Sequence, residues 1–144
     1  PFHVAPRMEQ PSKLFTVSEA TQLLEQVRPL IEQLQRVQTS ILELTRQLDD
    51  HREKISAGNG YPVQDLQRSV EGLTDRQRVM AAEFDQALAR LGELGGVLKD
   101  LNQGLVDFYS LRDGEIVCLC WRLGEPEIGF WHSLETGFAN RQPV

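Results

Sequence analysis

His132 closes an aromatic strand-like segment, and four carboxylates are its candidate partners: Glu125, Glu127, Glu135 and Asp107. An imidazole with two converging carboxylates would hold a divalent metal ion or act as a general base. At least three of these side chains must meet for that chemistry. No HxH, HExxH or CxxC spacing supports a ligand set, so a hydrogen-bonded histidine at a sheet edge is the plainer alternative. Asp107, an acid inside an apolar run, is expected on the face of His132 but about 12 Å away, two strand spacings and a diagonal offset apart. A bulge or a different register would be needed to bring the two together.

Cys118 and Cys120 stand two apart, which puts both thiols on one face of one strand in poor geometry for a mutual disulfide. Free cysteines of this kind are commonly small buried apolar residues, with a zinc or redox role as the rival reading. Arg112, Arg122 and Arg141 either converge on an anionic ligand or serve in salt bridges with Asp107 and the glutamates. With Cys120 and Trp121 they outline a candidate pocket. His3 and His51 have no such company.

These residues are positioned by the stretch Gly104 to His132, GLVDFYSLRDGEIVCLCWRLGEPEIGFWH, which gathers both tryptophans and both cysteines. Strands are expected over 97–101, 105–109, 115–123 and 127–132, a four-stranded antiparallel meander. The joints fall at Asn102-Gln103, Ser110 to Gly114 and Gly124 to Pro126. A symmetric last turn pairs Leu123 with Ile128, Trp121 with Phe130 and Leu119 with His132 on one face. Cys118, Cys120, Arg122 and Trp131 take the other, with Gly129 leaving room for the Arg122 guanidinium. The tail 134–144 is expected to fold over the sheet through Leu134 and Phe138.

Before the sheet the pattern is helical. Thr16 to Glu19 form a capping box. Leu23, Val27, Leu30, Leu34, Val37, Ile41, Leu44 and Leu48 then recur in steps of four and three, a heptad stripe that Pro29 should kink without breaking. Ser56 to Pro62 is the clearest turn in the chain. A second stripe follows through Val63, Leu66, Val70, Leu73, Gln77, Met80, Phe84, Ala87, Leu91 and Leu94, with Gln77 its single polar member. Helix breaking is expected near Gly92, Gly95 and Gly96. The fold class is therefore α+β, mainly α: a long antiparallel, coiled-coil-like hairpin over 14–95, a β-meander cap over 96–133 and the tail, all one domain over 14–144. Residues 1–13, with three prolines, read as a flexible leader in which Met8 is a candidate start.

With 144 residues, 15 basic against 21 acidic and a formal charge of −6, the chain has no general cationic field for a phosphate backbone, so nucleic acid is not expected. No apolar run approaches the roughly 18 to 20 residues that cross a bilayer, and no signal-peptide core opens the chain. The expectation is a cytoplasmic protein away from membranes. Two amphipathic helices and a thin sheet leave apolar faces that a second copy would cover, so a homodimer is expected.

The segments LFTVSEATQLLEQVRPLI and KDLNQGLVDF, and above all LCWRLGEPEIGFWH followed by GFANRQP, resemble the bacterial family catalogued as domain of unknown function 2203. The likeness runs from about Leu14 to Val144. It implies a small prokaryotic protein without an assigned activity, so it carries no catalytic residue over. It does single out Asp107, Cys120, Trp121, Arg122, Glu125, His132 and Arg141 as motif positions. Two functions follow from the residues: a non-enzymatic scaffold presenting its cap to a protein partner, or a protein binding a metal or small molecule around His132, in the extreme a metal-dependent hydrolase.

Overall fold

A computed structural model describes residues 13–58 and 60–144; the expected leader, Lys13 apart, and Asn59 of the expected turn lie outside them. Helix α1 (Val17–Ala57) opens on the capping box: Thr16 N–H donates to Glu19 Oε1 at 3.0 Å and Glu19 N–H to Thr16 Oγ1 at 3.1 Å. It passes unbroken through Pro29, whose missing N–H falls on an exposed position. Helix α2 (Val63–Glu93) starts after Pro62 at its N-cap, its fixed φ suited to a helix entry. The chain's last third follows: strands β1 (Val97–Asp100), β2 (Leu105–Arg112), β3 (Glu115–Arg122) and β4 (Phe130–Ser133), then a 3-10 turn at Phe138–Asn140 and strand β5 (Gln142–Pro143).

The chain divides into two compact units, and the division falls inside α1. In the unit Gln26–Leu94 the helices run antiparallel, as three side-chain bridges show: Arg90 to Gln26 Oε1 (3.3 Å), Gln33 to Glu83 Oε1 (3.1 Å) and Gln77 to Thr45 Oγ1 (2.7 Å). Gln77, the polar member of the second stripe, thus spends its amide on a threonine of the facing helix. Val27, Ile31, Leu34, Val37, Leu44 and Leu48 are buried on α1, Ala87 and Leu91 on α2. Ile31 is buried where the heptad count expects Leu30, and Leu24, in the other unit, where it expects Leu23.

The other unit joins the segment ending at Glu25 to Gly95–Val144. Its sheet is antiparallel in the order β1-β2-β3-β4-β5, one strand more than the meander expected, because part of the tail pairs with β4. One face carries Val106, Phe108, Leu119 and Trp121, all buried. Phe15 meets Phe108 edge-on at 5.7 Å, and its N–H donates to the Tyr109 carbonyl at 2.8 Å. Thr21 on α1 accepts from the Ile128 N–H at 3.2 Å, tying the β3–β4 connection to the helix.

Two registers differ from those expected, and both decide the site. The β2–β3 joint is a two-residue turn at Asp113-Gly114, with φ of 51° and 80°, not a five-residue loop. Positive φ at both central residues is the type I′ arrangement that matches strand twist, and Asp-Gly is a sequence suited to it. Asp107 therefore faces Cys120. In the β3–β4 pair Cys118 faces His132 and Leu119 faces Trp131, one residue from the symmetric register. An odd slip turns every side chain to the opposite face. His132 and Phe130 thus leave the Trp121 face for the Cys118 and Cys120 face, and Trp131 moves the other way.

Candidate functional site

On the cysteine face, β2 places Leu105, Asp107 and Tyr109, β3 places Cys118 and Cys120, and β4 places His132. They form the floor of a pocket of about 180 Å³ that Leu134, Thr136, Gly137 and Phe138 wall off from above and Lys99 rims. Asp107 and His132 are buried, at 2% and 4% exposure. The expected separation of about 12 Å is overturned. Their side chains reach toward each other above β3, where only two small cysteines stand between, and His132 Nε2 lies 3.0 Å from Asp107 Oδ2.

Hydrogen-bond chemistry constrains this pair. His132 Nδ1 is 2.8 Å from the Ser133 carbonyl, which can only accept, so Nδ1 carries a hydrogen. Nε2 and Oδ2 then hold one proton between them, as imidazolium with carboxylate or imidazole with carboxylic acid. The other carboxylate oxygen, Asp107 Oδ1, is buried without a hydrogen-bond partner among the described residues. A buried unsatisfied carboxylate oxygen costs free energy and calls for an unseen group.

Cys120 completes the arrangement. Its Sγ, an Asp107 oxygen and a His132 nitrogen all lie within 4.8 Å of one another. Burial first, and the neighbouring Asp107 charge second, push the Cys118 thiol up to about 12 and the Cys120 thiol to about 11, so both are protonated near neutrality. Both are free.

Residues 13–144 match the family described as uncharacterized conserved protein, DUF2203. The chain belongs to that family. No curated protein and no solved structure matches it. Within this DUF2203 chain the remaining expected site residues are placed elsewhere, except Arg141, whose guanidinium stands beside the Cys120 thiol. Glu125 is committed to a structural network: its Oε1 accepts from the Arg122 N–H at 2.6 Å and from Arg141 Nη1 at 2.9 Å, while its carbonyl accepts the Trp121 indole N–H at 3.0 Å. The short Gly124 turn brings it back onto its own strand rather than toward His132. Glu127 and Glu135 are exposed and line no part of the pocket.

The three arginines do not converge on one anion. Arg112 stacks 4.6 Å from the Trp131 ring centre, on the opposite face of the sheet. Arg122 lies over Phe138 at 5.6 Å, and Arg141 is held between Phe130 (4.0 Å) and Phe138 (4.3 Å). Trp121 is a core residue, fully buried on the Phe108 face. Of the sequence candidates, the structure unites His132, Asp107 and Cys120. Lys99 and Tyr109 were missed, although strand alternation from Asp107 across to Val97 would have put both on this face.

Proposed function

We propose that this protein holds a divalent transition-metal ion between Asp107, Cys120 and His132, at the floor of a pocket for a small molecule. The observation that carries the reading is the buried Asp107 carboxylate, one oxygen of which makes no hydrogen bond of ordinary geometry among the described residues and has only the Cys118 and Cys120 thiols as neighbouring donors, while the other lies 3.0 Å from His132 Nε2. Two ligands on a tetrahedral zinc ion stand about 3.3 Å apart, so that pair needs almost no movement, and Cys120 needs a shift of about 1 Å. The Ser133 carbonyl holds the Nδ1 hydrogen, which leaves the Nε2 lone pair for the metal, the outer-shell arrangement usual for histidine ligands. The mixed N, S, O donor set suits zinc best. The ion would replace the proton shared by Asp107 and His132 and the proton of Cys120, so binding releases protons.

Three protein ligands leave a fourth position open to the pocket, as in zinc sites that bind substrate or activate water. The test is elemental analysis of chelator-free protein, with Co²⁺ substitution read by thiolate charge-transfer absorption. Stoichiometric metal that is lost in Cys120→Ser, with the fold intact by circular dichroism, supports the centre. A folded parent that takes up neither zinc nor Co²⁺ overturns it.

A homodimer, which is compatible with the metal-binding and the scaffold reading alike, has one supporting observation: Leu42 and Val79 on the helical unit are 64% and 67% exposed. Light scattering over a wide concentration range tests it, and a constant monomer mass overturns it.

A further inference from the structure

The pocket above the proposed centre has a character of its own. Its walls are largely apolar, formed by Leu105 and Tyr109 from β2 and by Leu134 and Phe138 from the tail, while Lys99 stands exposed at the rim. No salt bridge among the described residues includes Lys99, in a chain whose formal charge is −6. A divalent ion with one carboxylate, one thiolate and a neutral imidazole is uncharged as a unit. Lys99 then leaves the pocket with one net positive charge.

From this we infer that the pocket takes a small organic monocarboxylate, its carboxylate at the open metal position on the Lys99 side and its apolar body between Leu134, Phe138 and Leu105. The inference rests on the metal reading of the same site. A cavity of about 150 Å³ holds benzene, so a space of about 180 Å³ admits a body of that size together with a carboxylate, roughly nine non-hydrogen atoms at most. Inorganic oxyanions would leave the apolar walls uncovered, and a neutral isostere would leave Lys99 and the metal without a counter-charge. Apolar contact contributes about fourfold in affinity for each buried methylene equivalent, enough to separate an aromatic acid from a minimal one.

Full-length protein loaded with Co²⁺, titrated with benzoate, acetate, benzamide and inorganic phosphate, tests this by the visible d–d spectrum. Benzoate is expected to shift the bands saturably and to bind at least about tenfold tighter than acetate. Benzamide should be silent. Lys99→Gln, with Co²⁺ occupancy measured separately, should weaken benzoate about two- to fivefold, the scale of an exposed charge. Leu134→Ser should narrow the gap between benzoate and acetate. A loaded protein whose spectrum ignores benzoate overturns the inference and leaves the metal centre standing. Failure to load Co²⁺ removes both. Equal affinity for benzoate and acetate, or tighter binding of phosphate, overturns the organic-acid assignment.

Discussion

His132 on β4 reaches over β3 to Asp107 on β2, and the two meet at 3.0 Å because the residues beneath them, Cys118 and Cys120, are small. The pair is buried, at 5% and 2% side-chain exposure, so each partner depends on the other for its hydrogen bond. Asp107→Ala and His132→Ala should therefore each destabilise the metal-free protein by about 2–4 kcal/mol. The double variant should lose less than the sum, since each single change strands the other group. Chemical denaturation with an unchanged m-value checks this, and strict additivity would show that the two are energetically independent.

The thiols make stability fall in alkali. Both are raised from an ordinary value of 9.0, Cys118 to about 12 and Cys120 to about 11, by burial and then by Asp107. A group whose folded value is raised binds its proton more tightly in the folded state. Its contribution is complete below pH 9 and is lost as the pH climbs from about 9 toward 11 and 12. Unfolding of the metal-free protein followed over that range should show the decline, with Cys118→Ala flattening it. Native-state alkylation of both thiols at pH 8 should be correspondingly slow.

Gly95 and Gly114 both have positive φ, 94° and 80°, yet substitution should treat them differently. A Cβ on Gly114 meets nothing within 4 Å, so Gly114→Ala carries only the backbone cost, about 1 kcal/mol. A Cβ on Gly95 runs into the Phe15 ring as well, and that ring is wedged against Phe108. Gly95→Ala should cost about 3 kcal/mol or more, read as a clearly larger drop in melting temperature. Equal losses would contradict the role given to Phe15.

Arg141→Lys should destabilise by about 1–2 kcal/mol although the charge is kept. The guanidinium stacks between Phe130 and Phe138 and donates to Glu125 at 2.9 Å, and an ammonium cannot do both in one plane. A variant as stable as the parent would show the stacking to be incidental.

Much of this architecture is written locally. The Thr16 and Glu19 capping box, the turn before Pro62 and the two apolar stripes are set by neighbours within a few residues, so they are legible in order along the chain. Asp107, Cys120 and His132 are each legible as chemically interesting for the same reason. Their meeting is not. It depends on two strand registers: Asp113-Gly114 makes a tight turn where a longer loop is expected, and β4 slips by one residue against β3, two changes of parity that cancel for Asp107 and His132, which keep the common face expected of them, and that bring Cys120 onto it. Side-chain direction alternates with every residue of a strand, so a single-residue difference in a turn decides which face a whole strand presents.

The sequence by itself determined the helical hairpin, the antiparallel sheet after it and the residues capable of chemistry, because those follow from periodicity, caps and residue type. Only the tertiary structure decided that Glu125 serves Arg141 while Cys120 joins Asp107 and His132, and that the tail closes a pocket over them. Those outcomes turn on which face each strand shows and on what packs above it. Both are non-local quantities, fixed when the strands pair and absent from any short window of the chain.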